Sequence, residues 1–309
     1  MIPDFVKQRE ENGEGFDLYF AGSQSKETED WMLAHGSCRL QSQLNDRTNI
    51  KRWTTEPNNG KLFIDSGAYT AHTLGKKVNV DEYIQYINSI IDKVHVFAQL
   101  DYIPGTDNRT EDPGQISWEN YLYMRPRVKD PDKLIPIYHQ GENPEWLVNM
   151  LEYVDDQGNK IPYIGFGALV GSTTNDKKLF FDKCFNIISK SSNPNIKVHA
   201  MGMTSLALLE TYPFYSADST GWIMTGAAGN IMTPYGMVDA SEKKQFVGNN
   251  LRNLKNGEEV LSWLAKNGLD IDELVPNYRK RMLCNLIYLT DWAKNYRFKG
   301  STSHKVSLF

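Results

Sequence analysis

Three aspartates each stand at the end of a short apolar run, where a carboxylate can act as an acid, a base or a nucleophile. Asp65 follows the run LFI, Asp101 follows VFAQL, and Asp218 follows YSA. Paired carboxylates on the two sides of a sugar carbon carry out glycosyl transfer. An aspartate at a strand end also often caps the next helix, and for any one of the three this interpretation is equally good. Because there are three, we predict that they share a catalytic site.

Other residues at predicted strand ends can bind a planar base. The carboxamide of Gln140 both donates and accepts hydrogen bonds, and Gly167 leaves backbone amides unobstructed by a side chain. With Asp101, these groups can read the edge of a guanine-like base. The aromatic ring of Tyr69 and the side chain of Met201 can cover its two faces. Stacking on a base contributes ~1–3 kcal/mol, so this set predicts a base-binding pocket.

Short apolar runs alternate with amphipathic stretches, a pattern typical of α/β folds with parallel strands. The first strand is not followed by GxGxxG, which disfavours a dinucleotide-binding fold. Eight βα units in about 220 residues match a (β/α)8 TIM barrel better than a doubly wound sheet, and such barrels carry their active sites at the C-terminal strand ends. The predicted strands are residues 16–22, 38–43, 61–65, 94–100, 134–139, 163–169, 197–201 and 215–219.

The amphipathic stretches predict helices at residues 81–91, from Pro144 onwards, and at 178–189. We assign residues 1–233 to the barrel and residues 234–309 to a helical C-terminal extension packed on it, with helices at 258–267 and 278–294. Within the fifth predicted strand, side-chain alternation points His139 away from its neighbour Gln140. We therefore predict that His139 is a buried structural residue.

Composition and charge limit the class of protein. The chain has 309 residues, a net charge of −4, and 40% hydrophobic and 23% charged residues, as in an ordinary soluble enzyme. Cys38, Cys184 and Cys284 are widely spaced without a CxxC pair, so they predict neither a disulfide framework nor a metal site and fit a reducing cytoplasm. A polar stretch follows Met1, and no apolar run approaches the ~20 residues that span a bilayer. We expect a cytoplasmic protein without membrane contact.

Basic residues concentrate in two places on this otherwise acidic chain. Either cluster alone is most simply a solvated helix face, but two of them are what a local phosphate-binding surface requires. The candidates for contact with nucleic acid are Arg47, Lys51 and Arg52 after the second predicted strand, and Arg279, Lys280 and Arg281 near the C-terminus.

The chain resembles the tRNA-guanine transglycosylase family, and most of all its shorter DNA-modifying relatives from phages and bacterial DNA-modification clusters. Six segments between Asp65 and about Gly229 carry the resemblance; each is weak alone, but the ordered set is specific. They are DSGAY from Asp65, LD ending at Asp101, QG from Gln140, GALVG from Gly167, HAMG ending at Gly202, and SADS around Asp218.

The resemblance implies roles for these residues. Asp218 would be the nucleophile and Asp65 the general acid and base, with no cofactor and no metal. The polymer substrate would be DNA or tRNA, and the second substrate a free 7-deazaguanine base; family members are often homodimers. The residues implied to bind the base are Ser66, Tyr69, Asp101, Gln140, Gly167 and Met201.

Three departures from the family pattern qualify this resemblance. The PTRxGR run that follows the family nucleophile has no counterpart in residues 220–226, and the zinc-binding CxCxxC…H element is absent. These two losses favour DNA over tRNA. Ser172 stands where the family usually has a glutamate, which leaves the identity of the incoming base open.

Three alternatives remain at this stage. A transglycosylase acting on tRNA would use the same chemistry. A glycoside hydrolase would also use paired carboxylates and would line its site with tryptophans, for which Trp118, Trp146 and Trp222 are available. A non-catalytic nucleic-acid-binding subunit is disfavoured, because both catalytic carboxylates are present.

Overall fold

The computed structural model describes residues 2–22, 25–44, 47–58, 60–103, 111–167, 169, 171–244 and 254–300. Within these residues one parallel sheet is surrounded by helices, and a small antiparallel hairpin follows it. The sheet strands are β1 (Asp17–Phe20), β2 (Cys38–Ser42), β3 (Leu62–Asp65), β4 (Val96–Ala98), β5 (Leu134–Ile135), β6 (Ile137–His139), β7 (Tyr163–Gly167), β8 (Lys197–Ala200) and β9 (Ser216–Ser219). The hairpin strands are β10 (Asn230–Thr233) and β11 (Gly236–Asp239).

Helices follow most strands of the sheet. The α-helices are α1 (Asp4–Asn12), α2 (Lys26–Ala34), α3 (Arg47–Thr55), α4 (Ala68–Thr73), α5 (Val80–Ile90), α6 (Pro113–Met124), α7 (Pro144–Glu152), α8 (Thr174–Lys190), α9 (Leu206–Thr211), α10 (Gly221–Ala227), α11 (Gly257–Lys266), α12 (Ile271–Leu274) and α13 (Tyr278–Lys294). Short 3-10 turns lie at Ile91–Lys93, Arg125–Arg127, Pro131–Lys133 and Glu242–Lys244. None of the helices within the described ranges is long and apolar enough to cross a membrane.

The predicted helices are confirmed, and their ends follow from local side chains. Asn79 caps α5 by accepting from two backbone N–H groups. Pro144 occupies the first position of α7, where the N–H that proline lacks would have no partner in the helix. Thr173 and Asp176 form a reciprocal capping box at the start of α8.

The nine parallel strands are hydrogen-bonded in the order β5-β4-β3-β2-β1-β9-β8-β7-β6 and nearly close into a barrel. The two end strands, β5 and β6, are separated by a single residue, Pro136, which splits the fifth predicted strand because it has no N–H to donate. Gly165 N donates to the Pro136 carbonyl at 2.8 Å, and Gln99 N donates to the Ile135 carbonyl at 2.9 Å. The predicted α/β architecture with a parallel sheet is therefore confirmed.

Side-chain alternation divides each strand between the inside of the barrel and the surrounding helices. Tyr19, Phe63, Ile137 and Tyr163 pack together in the interior. The intervening residues form a separate, larger core between the sheet and the helices. Continuing the interior series by two residues leads from Phe63 to Asp65 and from Ile137 to His139. The polar ends of the strands thus converge at one mouth of the barrel.

The C-terminal part is built differently from the prediction in one respect. Strands β10 and β11 form an antiparallel hairpin on both sides of the predicted boundary between residues 233 and 234. The hairpin shares a small core with α11 and α12 that is distinct from the barrel core. Helix α13 anchors this unit, because Asn285 Oδ1 accepts from Met232 N at 2.6 Å and the Ala293 carbonyl accepts from Phe16 N at 2.7 Å.

Candidate active site

Asp218 lies at the C-terminal end of β9 and is almost fully buried, with 6% of its surface exposed. Its Oδ1 accepts a hydrogen bond from Gly202 N at 2.8 Å and lies 3.2 Å from His199 Nε2. Gly202 has a φ of 63°, a conformation that few residues other than glycine adopt, and this turn directs its N–H at the carboxylate. Two groups therefore fix one oxygen of Asp218 and orient the side chain.

A chain of buried polar side chains stands behind Asp218. Ser216 Oγ is within hydrogen-bonding distance of both His199 Nδ1 and the Tyr163 hydroxyl. Burial raises the pKa of Tyr163 well above its ordinary value, so the phenol keeps its proton and can donate to Ser216. Ser216 can then donate to Nδ1, which leaves the proton of His199 on Nε2, facing Asp218. With this arrangement of protons, Tyr163, Ser216, His199 and Asp218 form a continuous series of hydrogen bonds.

Serine, histidine and aspartate in contact also suggest a hydrolytic triad, but burial excludes that function. Ser216 and His199 have no exposed surface, whereas Asp218 is at the barrel mouth. A substrate carbonyl could not reach Ser216 Oγ, and Asp218 is the member of this set that lies nearest the surface.

Asp65 ends β3, and its Oδ2 accepts from Gly67 N at 2.9 Å. Gly67 adopts a φ of 76°, and a Cβ there would lie 2.8 Å from Leu44 Cβ, so the turn requires glycine. Burial, together with the charges of Asp101 and Asp218, raises the pKa of Asp65 to about 6 despite the Gly67 bond. The three predicted carboxylates therefore lie close enough to interact, and Asp65 exchanges a proton near neutral pH.

Two other residues of the DSGAY segment, Ser66 and Tyr69, have different environments. Ser66 is 1% exposed, and its carbonyl accepts from Gln43 Nε2 at 3.0 Å. Tyr69 lies in the first turn of α4 with 70% of its surface exposed. An exposed aromatic ring four residues from Asp65 leaves a free face on which a planar base can stack.

Asp101 follows β4 and interacts with two neighbouring side chains. Gln99 Nε2 donates to its Oδ1 at 2.9 Å, and His139 Nε2 lies 3.5 Å from its Oδ2. His139 Nδ1 in turn lies 2.9 Å from Glu142 Oε1. The side chain of His139 is mostly buried, with 20% of it exposed, and it lies beside Asp101 rather than facing away from the predicted site. Within β6, alternation from Ile137 points His139 into the barrel mouth.

The remaining predicted base-binding residues lie around this group. A Cβ on Gly167 would be 2.5 Å from His139 Cδ2, so the glycine lets the imidazole pack against β7. Met201 is partly buried against the barrel interior. Gln140 turns towards the segment after β7, where its Oε1 accepts from Ser172 Oγ at 2.7 Å. Two other positions of the GALVG segment, Ala168 and Val170, lie outside the described residues.

The sequence interpretation missed His199, Ser216 and Glu142 as site residues. Ser216 and Asp218 are two apart on β9, so they share a face, and this signal was available from the sequence. His199 could be recognised only through the pairing of β8 with β9, which sets it against Ser216. Glu142 follows a turn, and no periodicity predicts where its side chain points.

The predicted nucleic-acid contacts separate into paired, exposed and buried residues. Arg281 cannot belong to an exposed surface, because it is 6% exposed and donates to the carbonyls of Gly226, Leu274 and Val275. It is a structural residue that fixes the start of α13, and the prediction for it is wrong.

The other basic residues remain at the surface. Arg52 is bound to Asp30 and Glu56, each at 2.8 Å, and Lys280 lies 3.5 Å from Glu27. Lys51 is exposed on α3. The Arg279 guanidinium is 5.7 Å from the ring centroid of Tyr278.

Arg47 has the closest connection to the site. Its Nε donates to the Gln43 carbonyl at 3.1 Å, and Gln43 in turn donates to the Ser66 carbonyl at 3.0 Å. A phosphate bound by Arg47 would therefore lie beside the turn that carries Asp65 and Tyr69.

No group of three or more histidine, cysteine or acidic side chains in the described parts of the chain is arranged to hold a metal ion. No protein-family model matches the sequence, and no curated protein matches it.

Proposed function

We propose that this chain is a (β/α)8-barrel transglycosylase that replaces guanine in a polynucleotide, with DNA favoured, by a 7-deazaguanine derivative. The observation that carries the proposal is the convergence of Asp65, Asp101 and Asp218 at one barrel mouth, with the pKa of Asp65 raised to about 6. A carboxylate that is oriented and a second one that exchanges a proton near neutral pH are the two groups that this chemistry needs.

In the first step, Asp218 attacks C1′ of the target nucleotide. A bond forms between a carboxylate oxygen and C1′, the C1′–N9 bond breaks, and its electron pair leaves with guanine. Asp65 supplies the proton that neutralises the departing base. Gly202 N–H and His199 hold one oxygen of Asp218, which leaves the other oxygen to attack the cationic carbon of the transition state.

In the second step, the incoming base reverses the sequence. Asp65, now ionised, takes the N9 proton of the 7-deazaguanine, N9 attacks C1′, and the bond to Asp218 breaks. Asp65 thereby regains the proton that it gave up, and both carboxylates return to their starting states. The target nucleotide must leave its stack before the first step, at a cost of about a few kcal/mol.

Two features favour base exchange over sugar hydrolysis. Trp118 is 8% exposed and Trp222 is fully buried, so neither is available as a carbohydrate platform. Trp146 is partly buried and donates to Asp112 at 3.0 Å. The exposed ring of Tyr69, four residues after Asp65 in the sequence, suits a stacked base instead. A non-catalytic binding subunit would have no use for an acid–base carboxylate whose pKa lies near neutrality.

The test is exchange of radiolabelled guanine into polymer. The purified chain is incubated with labelled guanine and either double-stranded DNA or tRNA, and the label retained in polymer is counted. We expect incorporation into DNA and little into tRNA. Incorporation into tRNA alone would show that the substrate is tRNA and not DNA. Incorporation into neither polymer would refute base exchange.

A matched pair of variants tests the nucleophile. Asp218→Asn should lower exchange by at least about a thousandfold, since a nucleophile has no substitute in the site. Asp182→Asn, which alters an aspartate on the outer helix α8, should exchange at the wild-type rate. With DNA labelled in its phosphate backbone, denatured wild-type protein should retain the label covalently, and Asp218→Asn should not. Near wild-type exchange by Asp218→Asn would refute the assignment.

A further inference from the structure

Two donors among the described residues contact the carboxylate of Asp101, one on each of its oxygens. Gln99 Nε2 donates to Oδ1 at 2.9 Å, and His139 Nε2 lies 3.5 Å from Oδ2. A carboxylate has about four acceptor positions, two on each oxygen. Counting only the described residues, these two donors use one position on each oxygen. The Asp101 side chain is 16% exposed, so the carboxylate can be reached from the barrel mouth.

His139 is itself fixed on three sides. Its Nδ1 lies 2.9 Å from Glu142 Oε1, and its backbone N–H donates to Glu142 Oε2 at 2.9 Å. The missing side chain at Gly167 admits the ring, because a Cβ there would come within 2.9 Å of Nε2. The Glu142 side chain is 7% exposed, so water does not compete strongly for it. The ring cannot turn away from Asp101 without breaking these contacts.

The charge of this group supports the same role. Burial alone would lower the pKa of His139, but Asp101 and Glu142, the two carboxylates that face its ring nitrogens, raise it to about 10. The imidazole is therefore a cation at neutral pH, placed between two anions. This cation attracts the Asp101 carboxylate, whose Oδ2 lies 3.5 Å from Nε2, and opposes its rotation.

We propose that His139, braced by Glu142, is a positioning residue that holds the Asp101 carboxylate turned so that it binds a base through two adjacent N–H groups. This inference rests on the base-exchange function proposed above. The base class that fits is the 2-amino-6-oxo purine or deazapurine, whose ring N1–H and 2-amino group lie side by side. A hypoxanthine-type base has only the ring N–H and would leave one Asp101 oxygen without its partner.

The experiment compares two free bases and three variants in the full-length protein. Binding of guanine and of hypoxanthine is measured by calorimetry, and kcat and KM for guanine exchange are measured in parallel. His139→Gln removes the positive charge, and Glu142→Gln removes the brace. His35→Gln is the matched control, because it makes the same substitution at an exposed histidine at the other end of the barrel.

We expect the wild type and His35→Gln to bind guanine at least about tenfold more tightly than hypoxanthine, since the lost contact is a bond to a charged group. His139→Gln should weaken guanine binding and raise its KM by about tenfold, leave hypoxanthine binding nearly unchanged and change kcat by less than about threefold. Glu142→Gln should also reduce the preference for guanine over hypoxanthine, but by a smaller factor than His139→Gln.

An unchanged preference for guanine in folded His139→Gln and Glu142→Gln, in a protein that exchanges bases, would overturn the role of His139 and leave the base-exchange function intact. If His139→Gln does not fold, Glu142→Gln decides alone. Absence of exchange by the wild type would instead refute the proposed function, so the two failures are distinguishable.

Discussion

His199 Nε2 lies 3.2 Å from Asp218 Oδ1 inside the barrel, and both residues project from neighbouring parallel strands. The histidine is fully buried and contacts the carboxylate from the barrel interior, while Asp218 is at the mouth. Because the other ring nitrogen meets Ser216, rotation of the imidazole would cost two hydrogen bonds. This contact therefore holds the proposed nucleophile in one orientation.

Removing this contact should slow the chemical step more than substrate binding. His199→Phe keeps an aromatic ring in the interior but has no donor for Asp218, so we expect kcat for base exchange to fall by about 10- to 100-fold. KM for the free base should change little. Ser216→Ala, one step further from the carboxylate, should lower kcat by a smaller factor. If both variants raised KM equally and left kcat unchanged, His199 would not act by orienting Asp218.

Ionisation of Asp65 should destabilise the folded chain. Its pKa in the folded protein is about 6, above the ordinary 3.8, so the folded state binds the proton more tightly than the unfolded chain does. The stabilisation is complete below about pH 4 and is lost as the pH rises to about 6 and above.

The variant Asp65→Asn isolates this effect, because its amide oxygen can still accept from Gly67 N–H and does not ionise. At pH 7 the variant should unfold with a free energy ~1–3 kcal/mol higher than the wild type, and the difference should shrink towards pH 4. Urea denaturation at several pH values measures the difference. A difference that does not vary between pH 4 and pH 7 would contradict the assigned ionisation. Base exchange should be lost at every pH.

The exposed ring of Tyr69 should contribute to base binding and little to folding. Tyr69→Ala should raise KM for the free base by an amount equivalent to ~1–3 kcal/mol, the energy of stacking on an aromatic side chain. Since 70% of the residue is exposed, the midpoint of thermal unfolding should change little. Tyr69→Phe should retain binding. Tyr235→Ala, at another exposed tyrosine, is the control and should leave KM unchanged.

Gly167→Ala should disturb base binding by displacing His139. The new methyl group would lie 2.5 Å from His139 Cδ2, so the ring must shift away from its position beside Asp101. We expect a cost in stability of ~1–3 kcal/mol from overpacking and a rise in KM for guanine of about tenfold.

The control for this variant lies two residues earlier on the same strand. Gly165→Ala would bring its methyl group within 2.5 Å of Ile137 Cδ1, so it overpacks the barrel without touching His139. It should lower the unfolding temperature to a similar extent and leave KM unchanged. If both variants raised KM equally, general distortion of the barrel would explain the result.

The surface arginines and lysines should contribute unequally to polymer binding. Lys51→Ala and Arg279→Ala should each weaken DNA binding and reduce the slope of log K against log salt by about one, if each side chain neutralises one phosphate. Arg52→Ala should have a smaller effect, because its guanidinium is already bound to Asp30 and Glu56. Binding measured over a range of salt concentrations separates these outcomes, and equal slopes for all three variants would contradict a specific surface.

The sequence identified the three aspartates but not the groups that control them. Each aspartate follows an apolar run, and such runs are local signals of strands that a parallel sheet aligns at one edge. The sequence interpretation pointed His139 away from the predicted site, because alternation was counted from Gln140, which lies beyond the end of β6. Counted from Ile137 inside the strand, the same alternation puts His139 in the barrel mouth. An alternation argument is valid only within the strand itself.

Arg281 shows a similar limit for charge. A cluster of basic residues in the sequence does not show which of them are buried. The guanidinium of Arg281 is buried, and it donates to two carbonyls of α10 and α12 and to that of Val275, which follows α12. Its neighbours Arg279 and Lys280 remain outside, since successive residues of a helix point in different directions.

The amino-acid sequence alone determined the order of helices and strands, the parallel sheet and the strand-end carboxylates, because periodicity and chain breaks are properties of adjacent residues. Tertiary structure alone decided the pKa of Asp65, the buried donors behind Asp218 and the Glu142–His139–Asp101 contact. Those depend on burial and on distances between side chains from strands far apart in the chain. Electrostatic interaction falls with separation and rises with burial, and the order of residues specifies neither quantity.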